Sequence, residues 1–122
     1  MVDVEIILSF LWVATMLCYL LGDVMRIFAG DFKPGEIDGK PAGHKVWLGA
    51  SIVMVIPIVM VFLSLILGGP LNGWVNVIVA GFFIIFNLIG IKGYKSYDIF
   101  LLILSFAFNG LTIWYGITQI FV

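Results

Sequence analysis

Few side chains in this sequence could do chemistry, and the most suggestive are Asp23 and Arg26, three residues apart at the end of a long apolar run. On a helix that spacing sets a carboxylate beside a guanidinium, the geometry of an intrahelical ion pair. Held by Arg26 alone, Asp23 is an interfacial acid. A coupling or gating role would need a second contact inside the protein, for example to Ser51 or Asn87 at similar depth. The remaining candidates are neutral. Asn76 and Asn87 are eleven residues apart, three helical turns, and so share one face. Ser105, Asn109 and Thr112 follow one another at spacings of four and three. Amides and hydroxyls so placed can bond one another between helices, or can line a path for a solute or a ligand head group.

Other chemistries find no footing. The single histidine, His44, lies in a glycine-rich loop with no cysteine or second histidine near it, so no metal set can be assembled. The one cysteine, Cys18, excludes an internal disulfide. The segment Gly35-Glu36-Ile37-Asp38-Gly39-Lys40-Pro41 superficially resembles a phosphate loop, but it lacks the four-residue spacing before Gly-Lys and the Ser or Thr after it. Asp38-Gly39 reads as a turn. No nucleophile–base pair can be placed, which argues against an enzyme. No cofactor is implied. No acid sits at mid-membrane depth, where a proton-coupled four-helix exporter needs one.

These groups must be positioned by membrane helices. Of 122 residues, 63% are hydrophobic and 11% charged, a balance that suits a bilayer and not a soluble core. A net charge of −1 gives nucleic acid no reason to bind. No charge interrupts Ile6 to Gly22, Val46 to Ile91, or Ile99 to Val122. A crossing takes ~20 apolar residues, and the middle stretch holds two, separated by Gly68-Gly69-Pro70-Leu71-Asn72-Gly73 as a tight turn. The reading is an all-α polytopic protein, one domain over 1–122, with an antiparallel bundle of helices at about 4–28, 46–67, 73–91 and 98–121. The first helix is retained, since Asp3 and Glu5 give it the wrong sign for a signal peptide.

All six Lys and Arg (Arg26, Lys33, Lys40, Lys45, Lys92, Lys95) fall on the side of the 29–45 and 92–97 loops. The positive-inside rule therefore puts both loops in the cytoplasm and both termini outside the cell membrane. Trp74 belongs at the outer interface, with Trp47, Tyr94 and Tyr97 at the inner one. Trp12 and Trp114 fall two turns below the outer surface, either as independent belt residues, the simpler reading, or as a contacting pair.

Packing marks follow. Ala14, Cys18 and Gly22 form a small-residue stripe on helix one, level with Gly49-Ala50-Ser51 on helix two, so those two backbones should approach closely. Pro57 kinks helix two and frees the Val53 carbonyl. Setting helices three and four about their loop puts Asn109 level with Ala80 and Gly81, and Asn76 level with Thr112. These groups should point into the bundle, with Asn109 bonded to helix three or a neighbouring carbonyl.

Several stretches carry a resemblance: Trp12 through Tyr19 to Gly22-Asp23-Val24, Leu48-Gly49-Ala50, Ile56-Pro57-Ile58-Val59-Met60 with Leu63-Ser64, Asn72-Gly73-Trp74-Val75-Asn76, and Ile113-Trp114-Tyr115. Together the chain resembles an uncharacterised family of small four-helix bacterial and archaeal membrane proteins, and more distantly the DoxX-like proteins, some of them linked to quinone-dependent oxidoreductases. The resemblance implies an acid before the Ile-Pro pair, where this sequence has Val55, and one on helix four near Asn109. It therefore implies the fold and little about activity. Two functions fit. One is a non-catalytic module among membrane lipids, as a homo-oligomer or an accessory subunit of a larger complex. The other is a small-solute transporter or a lipid- or quinone-binding protein using Asp23, Asn87, Asn109 and the Pro57 kink.

Overall fold

The computed structural model describes residues 2–37 and 39–121, and it is a four-helix bundle. Helices α1 (Val4–Phe28), α2 (His44–Ile66), α3 (Gly69–Ile89) and α4 (Ser96–Ile120) are each long and apolar enough to cross a membrane. The loop between α1 and α2 carries a two-residue antiparallel pair, β1 (Glu36–Ile37) and β2 (Lys40–Pro41).

The charge gaps located the helices, but the α2–α3 boundary differs from the expected one. The chain turns at Leu67 and Gly68, and Pro70 to Gly73 already form the first turn of α3. Proline suits that place, because the first N–H groups of a helix have no partner to lose. Gly69 takes a φ of 60°, a conformation that costs glycine little.

Helix α1 packs along both α2 and α4, and α3 packs along α4, whereas the backbones of α2 and α3 come close at few points and meet mainly through side chains. The order around the bundle is thus α2, α1, α4, α3, with an open seam between the last and the first. Trp12, Met60, Ala80 and Phe83 form the buried apolar centre. The inward face of α4 is mostly polar: Asp98, Leu102, Ser105, Asn109, Thr112 and Gly116 are buried at alternating spacings of four and three. Large apolar side chains such as Phe10, Leu48, Phe62, Ile78 and Phe100 point outward. Such inside-out polarity suits a bundle solvated by hydrocarbon.

Three packing expectations are overturned. Gly49, Ala50 and Ser51 are exposed and do not receive α1. The nearest neighbour of Gly22 is instead Leu101 of α4, 3.9 Å from where a Cβ would stand. The tight crossing lies between α3 and α4, where a Cβ on Gly73 would strike the Gly116 carbonyl and one on Gly116 would stand 2.9 Å from Val77. Trp12 is not a belt residue: it is fully buried, while Trp114 is 64% exposed, so the two do not pair.

Candidate functional site

Two polar systems occupy the bundle, one at each end. The end bearing the chain termini holds a closed network. Trp12 Nε1 donates to Asn76 Oδ1 at 2.7 Å, and Ser64 Oγ donates to the same oxygen at 3.1 Å. Asn76 Nδ2 donates to both the side-chain and the backbone oxygen of Asn72 at 2.9 Å. Asn72 Nδ2 in turn meets the Ser64 carbonyl at 3.1 Å and Gln119 Oε1 at 2.8 Å, and Gln119 donates to Glu5 at 2.9 Å. One chain of bonds therefore ties all four helices. Both N–H groups of Asn72 and of Asn76 are engaged, which is the pattern of a clasp. Asn76 does point inward as expected, but it does not meet Thr112, whose hydroxyl bonds the Phe108 carbonyl of its own helix at 2.9 Å.

The end bearing the basic residues is built differently. Arg26 Nη1 reaches Asp23 Oδ1 at 3.1 Å, the expected pair along α1. Its Nε donates to Asp98 Oδ1 at 2.8 Å, across the bundle on the first turn of α4. The guanidinium carbon stands 5.1 Å from the centre of the Tyr94 ring, within cation–π range. Asp98 is 6% exposed and Asp23 58%, so the buried partner of Arg26 is the one that sequence reasoning did not single out. A signal for it existed. Asp98 begins the four-three stripe that runs through Asn109 and Thr112 to Gly116. The start of a helix also favours a carboxylate, because unpaired N–H groups point toward it. Among the described residues Asp23 makes no hydrogen bond to Ser51 or Asn87. Ser51 Oγ bonds the Trp47 carbonyl on the exposed face of α2.

One helical turn deeper, Tyr19 gathers the two remaining amides. Asn87 Nδ2 lies 3.0 Å from its hydroxyl and Asn109 Nδ2 lies 3.4 Å from it. Asn109 therefore turns into the bundle as expected, but its partner is on α1 and not on helix three. Its Oδ1 is buried without a partner among the described residues.

These groups border a hollow. A cavity of about 120 Å³ is lined by Tyr19, Asp23, Arg26, Asn87, Tyr94 and Asp98 together with apolar neighbours. A second, of about 510 Å³, is bounded by Phe32, Trp47, Val53, Met54 and Phe86. Both are lined by Asp23, Arg26, Met54 and Phe86, so they adjoin as one recess, polar in its smaller part and apolar in its larger part. Its apolar part includes residues of α1, α2 and α3, at the open seam of the bundle. Among the described residues no three metal-ligating side chains gather. The arrangement can bind and orient a molecule with a polar head and an apolar body. No curated protein and no solved structure matches the sequence. The family model for the family of unknown function DUF6326 does match, over residues 3–121, and the chain belongs to that family.

Proposed function

We propose that the protein is a non-catalytic membrane module that holds a small amphiphile in the recess at its basic end, with that end in the cytoplasm and both termini outside. The observation that carries this reading is that a polar and an apolar cavity adjoin, with Asp23, Arg26, Met54 and Phe86 lining both. Ligand sites combine an apolar enclosure with a few converging polar groups, and this recess has both. The clasp at the opposite end supports the reading by contrast, because its bonds are all made within the protein.

Gentle purification followed by mass spectrometry of the extracted small molecules tests it. Met54 borders both cavities and is only half-buried, so Met54→Trp should fill their junction without disturbing the clasp. The expected result is a lipophile retained by the parent protein and reduced at least ~10-fold in the folded variant, the scale of ~1.4 kcal/mol of lost binding. Equal retention by both proteins, or none by the parent, would refute the site. A stoichiometric partner chain in the same preparation would favour the accessory-subunit reading, with the partner packed on the exposed Gly49-Ala50-Ser51 face of α2 in place of an amphiphile, since Gly49 and Ala50 also line the larger cavity.

A further inference from the structure

The charges around the recess do not balance. Two carboxylates, Asp23 and Asp98, face one guanidinium, Arg26. Arg26 meets each of them at Oδ1 only, and neither Oδ2 accepts a hydrogen bond among the described residues. The guanidinium is itself engaged on three sides, by Asp98, Asp23 and the Tyr94 ring. Two of its N–H groups are used and the others stay free among the described residues, so donors as well as acceptors are left over, but the carboxylates outnumber the cation. Phe83 and Phe86 add aromatic surface to the walls, and Trp47 adds it to the apolar part. Aromatic faces attract cations and carboxylates attract them more strongly. A further basic group at this end, Lys95, lies 3.9 Å from Asp31 and is mostly exposed, outside the lining of either cavity.

From this charge complementarity we infer that the amphiphile bound in the recess is cationic, an ammonium-type head group seated beside Asp23 with its apolar body in the larger cavity. The inference rests on the proposed binding site and specifies its ligand class. Arg26 then has a positioning role: it braces Asp98 and α4 and does not receive an anionic head group. Head groups of phosphate, carboxylate or sulfate type would meet a lining in which two carboxylates outnumber one guanidinium. An uncharged head group could hydrogen-bond there but would gain nothing from the excess negative charge.

Three molecules with one alkyl chain and different heads decide the matter: dodecylamine, dodecanol and dodecanoate. Each is radiolabelled and bound to the protein in nanodiscs at about pH 8, where the amine is protonated and the acid ionised, and counts on empty nanodiscs are subtracted. The expected result is saturable binding of the amine, with the alcohol and the acid at least ~10-fold weaker. Asp23→Asn should weaken the amine about 10-fold and leave the alcohol unchanged. The double variant Arg26→Gln with Asp98→Asn exchanges a buried ion pair for neutral groups of similar shape and keeps Asp23 as the site's charge. Amine binding should survive in it within about threefold, on the scale of RT per e-fold. Equal or tighter binding of the acid or the alcohol would overturn the cationic assignment while leaving the recess as a binding site. An Asp23→Asn variant that binds the amine as the parent does would overturn it too. Saturable binding of none of the three would sink the assignment and the proposed site together.

Discussion

Asn76 and Asn109 are both fully buried amides, yet their surroundings give them opposite weights. Asn76 accepts from Trp12 and Ser64 and donates to Asn72, so its loss strands several partners in an apolar interior. Asn109 makes one long bond of 3.4 Å and keeps an orphaned oxygen. Removing one partner of a satisfied buried group costs the desolvation of whatever remains, whereas removing an unsatisfied group relieves a cost already present. Asn76→Leu should therefore destabilise the protein by ~2 kcal/mol. Asn109→Leu should change stability by no more than ~0.5 kcal/mol in either direction. Reversible unfolding in mixed micelles, followed by tryptophan fluorescence, measures both. A larger loss for Asn109→Leu than for Asn76→Leu would show that the orphaned oxygen has a partner of its own. Sequence spacing placed both side chains on inward faces and could not rank them, because rank depends on which atoms meet across helices.

At the scale of elements, the crossing of α3 and α4 is the sharpest constraint. Gly116→Ala would bring a methyl to 2.9 Å from Val77 Cγ2 and 3.1 Å from the Gly73 carbonyl oxygen. The backbone cannot yield there without separating the helices, and overpacking of this kind costs ~1–3 kcal/mol. Gly81→Ala and Gly110→Ala meet nothing within 4 Å. These two should be neutral or gain up to ~1 kcal/mol from alanine's better helix propensity. The same unfolding assay separates them, and an unaffected Gly116→Ala protein would mean that the crossing is looser than described. This contrast also marks what the sequence could express. Helix spans follow from the places where charges are missing, since a single charge is costly in hydrocarbon and ends a run unmistakably. The stripe on α4 follows from the helical repeat. Helix pairing does not follow, because small residues at spacing four are compatible with any partner. The stripe on α1 suggested α2, yet Gly22 faces Leu101 of α4. Asp98 went unnoticed for a related reason. An acid beside a loop is ordinarily solvated, and only the cross-bundle reach of Arg26 makes this one buried.

The whole molecule is polarised along its long axis, with a closed clasp at one end and a hollow ionic recess at the other, and its orientation decides which compartment reaches the recess. All six basic residues lie at the end of the recess, and none lies at the end of the clasp. The acids Asp31, Glu36 and Asp38 share the first loop, but acids contribute little to topogenesis, so the six-to-none split still governs. Testing it needs two reporter positions that tolerate substitution. Asn72, though part of the predicted turn, is unsuitable because it is fully buried in the clasp. Gly68 and Gly43 serve better. They precede α3 and α2 with φ of −107° and −77°, both exposed, and an added Cβ meets nothing within 4 Å at either place. The native Cys18 is buried and is first replaced by alanine, which fits its small-residue face. In intact cells a membrane-impermeant maleimide should then label Gly68→Cys and spare Gly43→Cys, and permeabilised cells should show both labelled. The opposite pattern would place the basic end outside, against the positive-inside rule, and would move the recess to the extracellular face. Labelling of both in intact cells would mean that the two loops share one side, which four antiparallel crossings forbid.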